Sequence, residues 1–260
     1  MNELEYEVAE HVATIRLNRP EKRNAFTFEM VDAWADRLLE AQADPLVRAI
    51  VVTGAGKGFC SGIDLSWVAE HEQKPLEFKQ ALTDHIHRVP LALENVDKPV
   101  IAAINGDAMG AGLDMALMCD LRLISDNARL AMSYVKVGLV PGDGGCWLLP
   151  RLVGMPKALE LLWTGDMVAA DQAVEIGLVN SVHDSEGLMD ATYTLARRIA
   201  AAPPVAVRMI KRTAYQSQRL DLRTSLDLIS SHMGVVRSTA DSVEAYRAFS
   251  EKRVGEFVGR

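Results

Sequence analysis

Residues 105–120 read NGDAMGAGLDMALMCD. They follow KPVIAAI (98–104), an unbroken apolar run of the kind found in strands covered on both faces. The run stops at Asn105-Gly106, and Gly110 and Gly112 then open an apolar segment whose pattern predicts a helix over 110–118. The first amides of a helix have no internal acceptor and carry partial positive charge. Glycine beside them admits a ligand atom close to the backbone, so this helix start suits a negatively charged oxygen. The same glycines equally serve close packing of the helix on a strand. One acid, Asp114, lies a turn further in among Leu113, Met115 and Ala116. Loss of water there raises a carboxyl pKa towards that of a useful base.

A second glycine turn lies upstream. VVTGAGKGFCSGIDL (51–65) follows the buried strand pattern RAIVVTG. Gly54 and Gly56 match the first two glycines of G-x-G-x-x-G, but Phe59 stands at the third. A P-loop fails as well, because Gly58 follows Lys57 where Ser or Thr is required. What the turn does present is main-chain amide at Gly62 and Ile63. Two amides offered by two loops, each straight after a buried strand, are the usual construction of an oxyanion hole.

Outward from these turns the pattern is α/β. LEYEVAEHVATIRLN (4–18) alternates and predicts two short strands. Residues 27–44 place Met30, Val31, Trp34, Leu38 and Leu39 at helical spacing behind Thr27, a fair helix start. LRLIS (121–125) and GLVNSV (177–182) are further strand candidates, and helical patterns cover 76–88, 143–152, 156–163 and 170–176. From 185 onward the chain reads as helix, broken at Pro203-Pro204. Strand–turn–helix units followed by a helical tail indicate an α/β core with an all-α appendage, divided as a core over 1–200 and a tail over 201–260.

The 260 residues are 49% hydrophobic with a net charge of -7, which disfavours a nucleic-acid partner. No apolar run approaches the ~18 residues of a membrane span, and the N-terminus lacks the look of a signal peptide. Cys60, Cys119 and Cys146 are scattered without metal-ligand spacing, so reduced thiols in a cytoplasmic setting are expected. Cys60 reads as a small buried residue. His85 and His87 are two apart and point to different helix faces, and no HExxH motif is present, so no metal site is expected. Ser61 and Ser133 lack a nucleophile elbow.

IRLNRPEKRNAF, GKGFCSGIDL, KPVIAAINGDAMGAGLDMALMCDLRLIS, VGLVPGDGG, LPRLVG and LLWTGDMVAADQAVEIGLVN together resemble the crotonase superfamily, also called the enoyl-CoA hydratase/isomerase family. The resemblance is strong over 4–183 and weaker in the tail. It implies a crotonase-like spiral of repeated ββα units with a C-terminal helical region that builds trimers or dimers of trimers. It also implies an acyl-CoA thioester substrate, with no separate cofactor because coenzyme A is part of the substrate. The thioester oxygen would lie between the amides of Ile63 and Ala111, where an enolate forms; the family often has glycine at the second position, but alanine keeps the amide.

Hydratases of this family hold one water between two glutamates. The first falls at Asp114 and the second at Tyr134, whose phenol, with an ordinary pKa near ~10, is a poor stand-in for a carboxylate. Some relatives carry their working acid in the PGDGG loop, which makes Asp143 a partner for Asp114, although an aspartate before a helix also serves as its cap. Enoyl-CoA hydratase/isomerase chemistry is therefore expected, with double-bond isomerisation or another enolate reaction as the alternative to water addition. A non-catalytic acyl-CoA-binding protein is the rival from another class.

Arg19, Lys22, Arg23 and Lys57 form a basic cluster in two loops suited to coenzyme A phosphates, and the resemblance favours Lys22 and Lys57. It further counts Ala25, Asp64 and Leu65 among the coenzyme A contacts, and in AFSEKR it points to Phe249 and Lys252 near the nucleotide. Asp64, beside the first amide, also has the position to fix its turn by side-chain bonding.

Overall fold

The computed structural model describes residues 3–64, 66 and 74–260. Strands β1 (Leu4–Ala9) and β2 (Val12–Leu17) form the expected antiparallel pair. Strands β3 (Ala49–Gly54), β5 (Val100–Ile104), β7 (Leu121–Ser125) and β10 (Ser181–His183) add to it in parallel, giving a six-stranded sheet of order β1-β2-β3-β5-β7-β10. Strands β4 (Gly58–Cys60), β6 (Asp107–Met109), β8 (Arg129–Ala131) and β9 (Val168–Ala169) form a second, smaller sheet in that order.

Side-chain alternation explains the unbroken hydrophobicity of the central strands. Ile50, Val52, Val100, Ala102 and Ile104 enter the main core, together with Met30, Val31, Trp34 and Leu38 of helix α1 (Phe28–Ala43). Ala49, Val51, Ile101 and Ala103 point the other way, into a second cluster with Leu188 and Ala196 of helix α8 (Leu188–Ala200). Both faces are covered, so neither is polar. Thr27 caps α1 as expected, its hydroxyl accepting from the Met30 amide at 3.2 Å.

The repeat is visible in the connectivity. β3 then β4, β5 then β6, and β7 then β8 each send the first strand to the large sheet and the second to the small one. Helix α4 (Ala111–Leu117) follows β6, and helix α5 (Gly145–Val153) follows β8 after a 3-10 turn (Ser133–Val137). The crotonase-like ββα spiral expected from the sequence is the fold found. The four small-sheet strands were not foreseen, because two or three residues carry no readable period.

Two other expectations are corrected. The helix over 76–88 is instead α2 (Pro75–Ala81), a π-helical turn (Leu82–Ile86) and α3 (Arg88–Asn95). Pro90 has no N–H for the Ile86 carbonyl, so the regular ladder breaks there, and the His87 amide reaches back five residues to the Leu82 carbonyl at 2.8 Å. GLVNSV becomes strand only from Ser181: Gly177 is at φ +75°, and the Leu178 and Val179 amides both donate to the Ala173 carbonyl, which makes a turn of the first half.

Helices α6 (Met155–Thr164) and α7 (Ala170–Glu175) precede α8. After Pro203 the tail continues as α9 (Pro204–Ser217), α10 (Leu222–Arg237) and α11 (Ala240–Glu251). Polar ties hold α9 to the core: Arg208 to Asp97, and Lys211 and Tyr215 to Asp120. No described helix is long and apolar enough to cross a membrane.

Candidate active site

Three neighbouring strands of the small sheet end at the same place. β4 leads to Gly62-Ile63, β6 to Gly110-Ala111 and β8 to Tyr134. Ligands of parallel sheets lie beyond such carboxyl ends, where the loops converge. Gly62, at φ +93°, brings its turn so close to α4 that a Cβ on it would lie 3.4 Å from the Ala111 nitrogen. The Phe26 amide donates to the Gly62 carbonyl and the Asp64 amide to the Phe26 carbonyl. In this parallel pairing the Ile63 N–H points away from Phe26. Among the described residues it donates to no protein atom. The Ala111 N–H is the first of α4 and has no internal acceptor.

Asp114 stands one turn into α4, fully buried. The Tyr134 hydroxyl lies 2.7 Å from its Oδ2 and 3.1 Å from Oδ2 of Asp143, which is also buried. Thus α4, the turn after β8 and the loop before α5 each contribute one member of a hydrogen-bonded trio. A phenol has one proton to donate. Both contacts are hydrogen bonds only when one of the two carboxyls is itself protonated and donates to the phenol oxygen.

The electrostatics agree. Burial first, then the charge of Asp143, raises the Asp114 pKa to about 7, against the hydrogen bond from Tyr134 and nearby amides of Gly145 and Asp143 that fall short of full hydrogen-bond geometry. Burial raises Asp143 to about 6, opposed by Tyr134 and by His87. Burial and both carboxyls push the Tyr134 phenol up, so it stays protonated. Among the described residues Asp114 Oδ1 has no hydrogen-bond partner. Two buried carboxyls joined through one phenol can between them accept a proton and give one.

The geometry and the comparisons agree on lineage: the family model for enoyl-CoA hydratase/isomerase matches residues 7–260. The chain belongs to that family, within the crotonase superfamily. It is 37% identical to the 1,2-epoxyphenylacetyl-CoA isomerase of Escherichia coli K12, with 97% of each chain covered. It is also 37% identical to the (E)-benzylidenesuccinyl-CoA hydratase of Thauera aromatica, covering 97% of this chain and 98% of the relative. A crystal structure of an enoyl-CoA hydratase from Bacillus anthracis superposes with a TM-score of 0.93 at 32% identity over the whole of both chains. As a member of this family the chain is an enzyme of hydratase/isomerase type.

Within the family frame, the basic loops divide. Asn24 is buried and donates to the carbonyls of Ala55 and Gly58, tying loop 19–25 to the β3–β4 turn. That sets Arg23 against Gly58, the neighbour of Lys57; Lys22, Arg23 and Lys57 are all exposed, and Ala25 is buried. Arg19 is corrected: it donates to the Ala25 carbonyl and pairs with Asp64 and Glu3, so it braces the turn and is not offered to phosphate. The Asp64 carboxylate is spent in the same way, accepting from Ser66 and Arg19, which together hold its pKa below the usual range. Leu65 lies outside the described residues. Phe249 and Lys252 sit at the end of α11, which packs mainly on α10, and Phe249 is 86% exposed.

Cys60 is buried, its thiol pushed up to about 12 by burial, and all three cysteines are free thiols. Among the described residues no group of three His, Cys, Asp or Glu is placed to hold a metal ion. Two site residues were not singled out from sequence. Gly145 presses on Asp114, since a Cβ there would lie 2.3 Å from Oδ1. His87 Nε2 lies 2.8 Å from the Gly142 carbonyl. The glycine-rich PGDGG motif was a signal for the first; nothing in the sequence linked His87 to that loop.

Proposed function

We propose that this enzyme binds an enoyl-CoA thioester and moves a proton between carbons of its acyl chain through an enolate. The thioester oxygen rests on the Ile63 and Ala111 amides, whose directed dipoles stabilise the negative charge that develops there. Asp143, ionised, takes a proton from the substrate, and Asp114, protonated, returns one to another carbon. Tyr134 then passes a proton from Asp143 to Asp114 and restores the pair. Lys22, Arg23 and Lys57 hold the coenzyme A phosphates.

The observation that carries the reading is the Tyr134 hydroxyl within hydrogen-bond distance of both carboxyls. In two-glutamate hydratases a water occupies that middle position. Here a phenol occupies it, which favours double-bond isomerisation over water addition. Water addition is the second reading, favoured by relatives named as hydratases. The reading includes a homotrimer or dimer of trimers, supported by the exposed apolar side chains of the tail, and a cytoplasmic setting, supported by three unpaired thiols.

A panel of 2- and 3-enoyl-CoA thioesters incubated in deuterated water tests this. Expected are migration of the double bond and deuterium at the α- or γ-carbon. Hydroxyacyl-CoA as the main product would replace the reading by hydration, and absence of both exchange and turnover would reject proton transfer altogether.

A further inference from the structure

The Asp143 loop owes its place to a contact from outside the small sheet. Residues 141–144, PGDG, contain no regular structure and join the 3-10 turn to α5. The π-helical turn Leu82–Ile86 packs over this loop at two points. A Cβ on Gly142 would meet Leu82 Cδ2 at 3.6 Å, and His87 Nε2 lies 2.8 Å from the Gly142 carbonyl oxygen. A carbonyl only accepts, so the proton of this hydrogen bond sits on Nε2, which fixes the donor atom of the ring. An inserted residue of the π type, re-aiming one side chain towards a functional loop, is a recurrent use of that distortion.

We propose that His87 is a positioning residue for the reaction, acting through the Gly142 carbonyl to hold the Asp143 carboxyl against Tyr134. The inference rests on the proton-transfer reading above. Of the other basic side chains on this turn, Arg88 pairs with Asp32 and Asp36, and His85 bonds to Asp32, so both face α1. Asp84 is exposed beside Thr83. From the other side Asp143 faces Tyr134 and, beyond it, Asp114. His87 is therefore the side chain of this turn that reaches the Asp143 loop, and it acts to lower the Asp143 pKa.

A double-mutant cycle tests this. H87F removes the donor at similar volume, and H87Q places an amide N–H where Nε2 stands. Expected for H87F is a fall in kcat of about tenfold, with KM for enoyl-CoA within about threefold and the acidic limb of the pH–rate profile displaced to higher pH. H87Q recovers most of kcat. In a D143N background H87F costs nothing further, because the residue acts only through Asp143.

Additive losses in the double variant, or an H87Q enzyme no better than H87F, would overturn the role of His87 and leave the proton-transfer reading standing. A D143N enzyme with full turnover would sink that reading itself, and His87 with it. If H87F does not fold, H87N serves in its place, since its shorter amide stops short of the Gly142 carbonyl and predicts the same kinetic loss.

Discussion

At Asp114 a single carboxyl carries two opposed demands. It must be dry enough to hold a proton at neutral pH, and that dryness costs stability once it ionises. In the unfolded chain an aspartate ionises near ~3.9; in the fold Asp114 does so at about 7. Between those values the folded protein keeps a proton that the unfolded chain has released, so stability falls as pH rises through the window. Asp143, raised to about 6, acts in the same direction over a narrower range. D114N removes the larger contribution. Thermal melts should show D114N gaining on the parent protein as the buffer moves from about pH 4 to pH 8; a constant difference would mean that the carboxyl is not titrating there. The same substitution should lower turnover by about 100-fold or more while KM changes little. Asp114 was legible in sequence because it is one acid in an apolar helix beside a glycine turn. Its partnership with Asp143 and the place of Tyr134 came from the family resemblance; that the phenol bonds both carboxyls was not legible, since the three residues come from three separate elements. From sequence, His87 is weighed only as a metal ligand, because its partner is a main-chain carbonyl 55 residues away.

Elements place these residues by close backbone contact. A Cβ on Gly112 would lie 2.1 Å from the Cys60 carbonyl oxygen, so the second residue of α4 rests directly on β4. That contact keeps the start of α4 against the turn that carries Ile63. Neither backbone has a flexible side chain to move aside, and overpacking of this kind costs about 1–3 kcal/mol. G112A should lower the melting temperature by about 5–10 °C and reduce turnover more than coenzyme A binding; a stable, fully active G112A would show that the two turns are not packed as described. The large sheet was readable because its central strands are long, apolar and bounded by glycine. The small sheet, which delivers the site, was not, because its strands are two or three residues long and exist only through their neighbours.

For the whole molecule, the helical tail behaves differently from the core. α8 buries Leu188 and Ala196 on the sheet, whereas α9 buries no residue fully and is tied down by ion pairs. Ile210, Leu222, Met233 and Tyr246 on α9–α11 are each more than half exposed. The proposed assembly would cover these large apolar side chains, which adjoining helices leave in water. Light scattering on the purified protein should return the mass of a trimer or hexamer; a monomer at micromolar concentration would remove assembly from the proposal. The break at Pro203-Pro204 was plain in the sequence, while the exposed face followed only from how α9 docks.

The proposal as a whole turns on two main-chain amides meeting one oxygen. A crystal structure with a non-reactive enoyl-CoA analogue measures that contact directly. The account predicts the thioester oxygen within about 2.7–3.1 Å of both the Ile63 and Ala111 nitrogens, with the acyl carbons alongside the Asp114–Tyr134–Asp143 trio. An oxygen bound to neither amide, or an amide already donating to the protein, would contradict it.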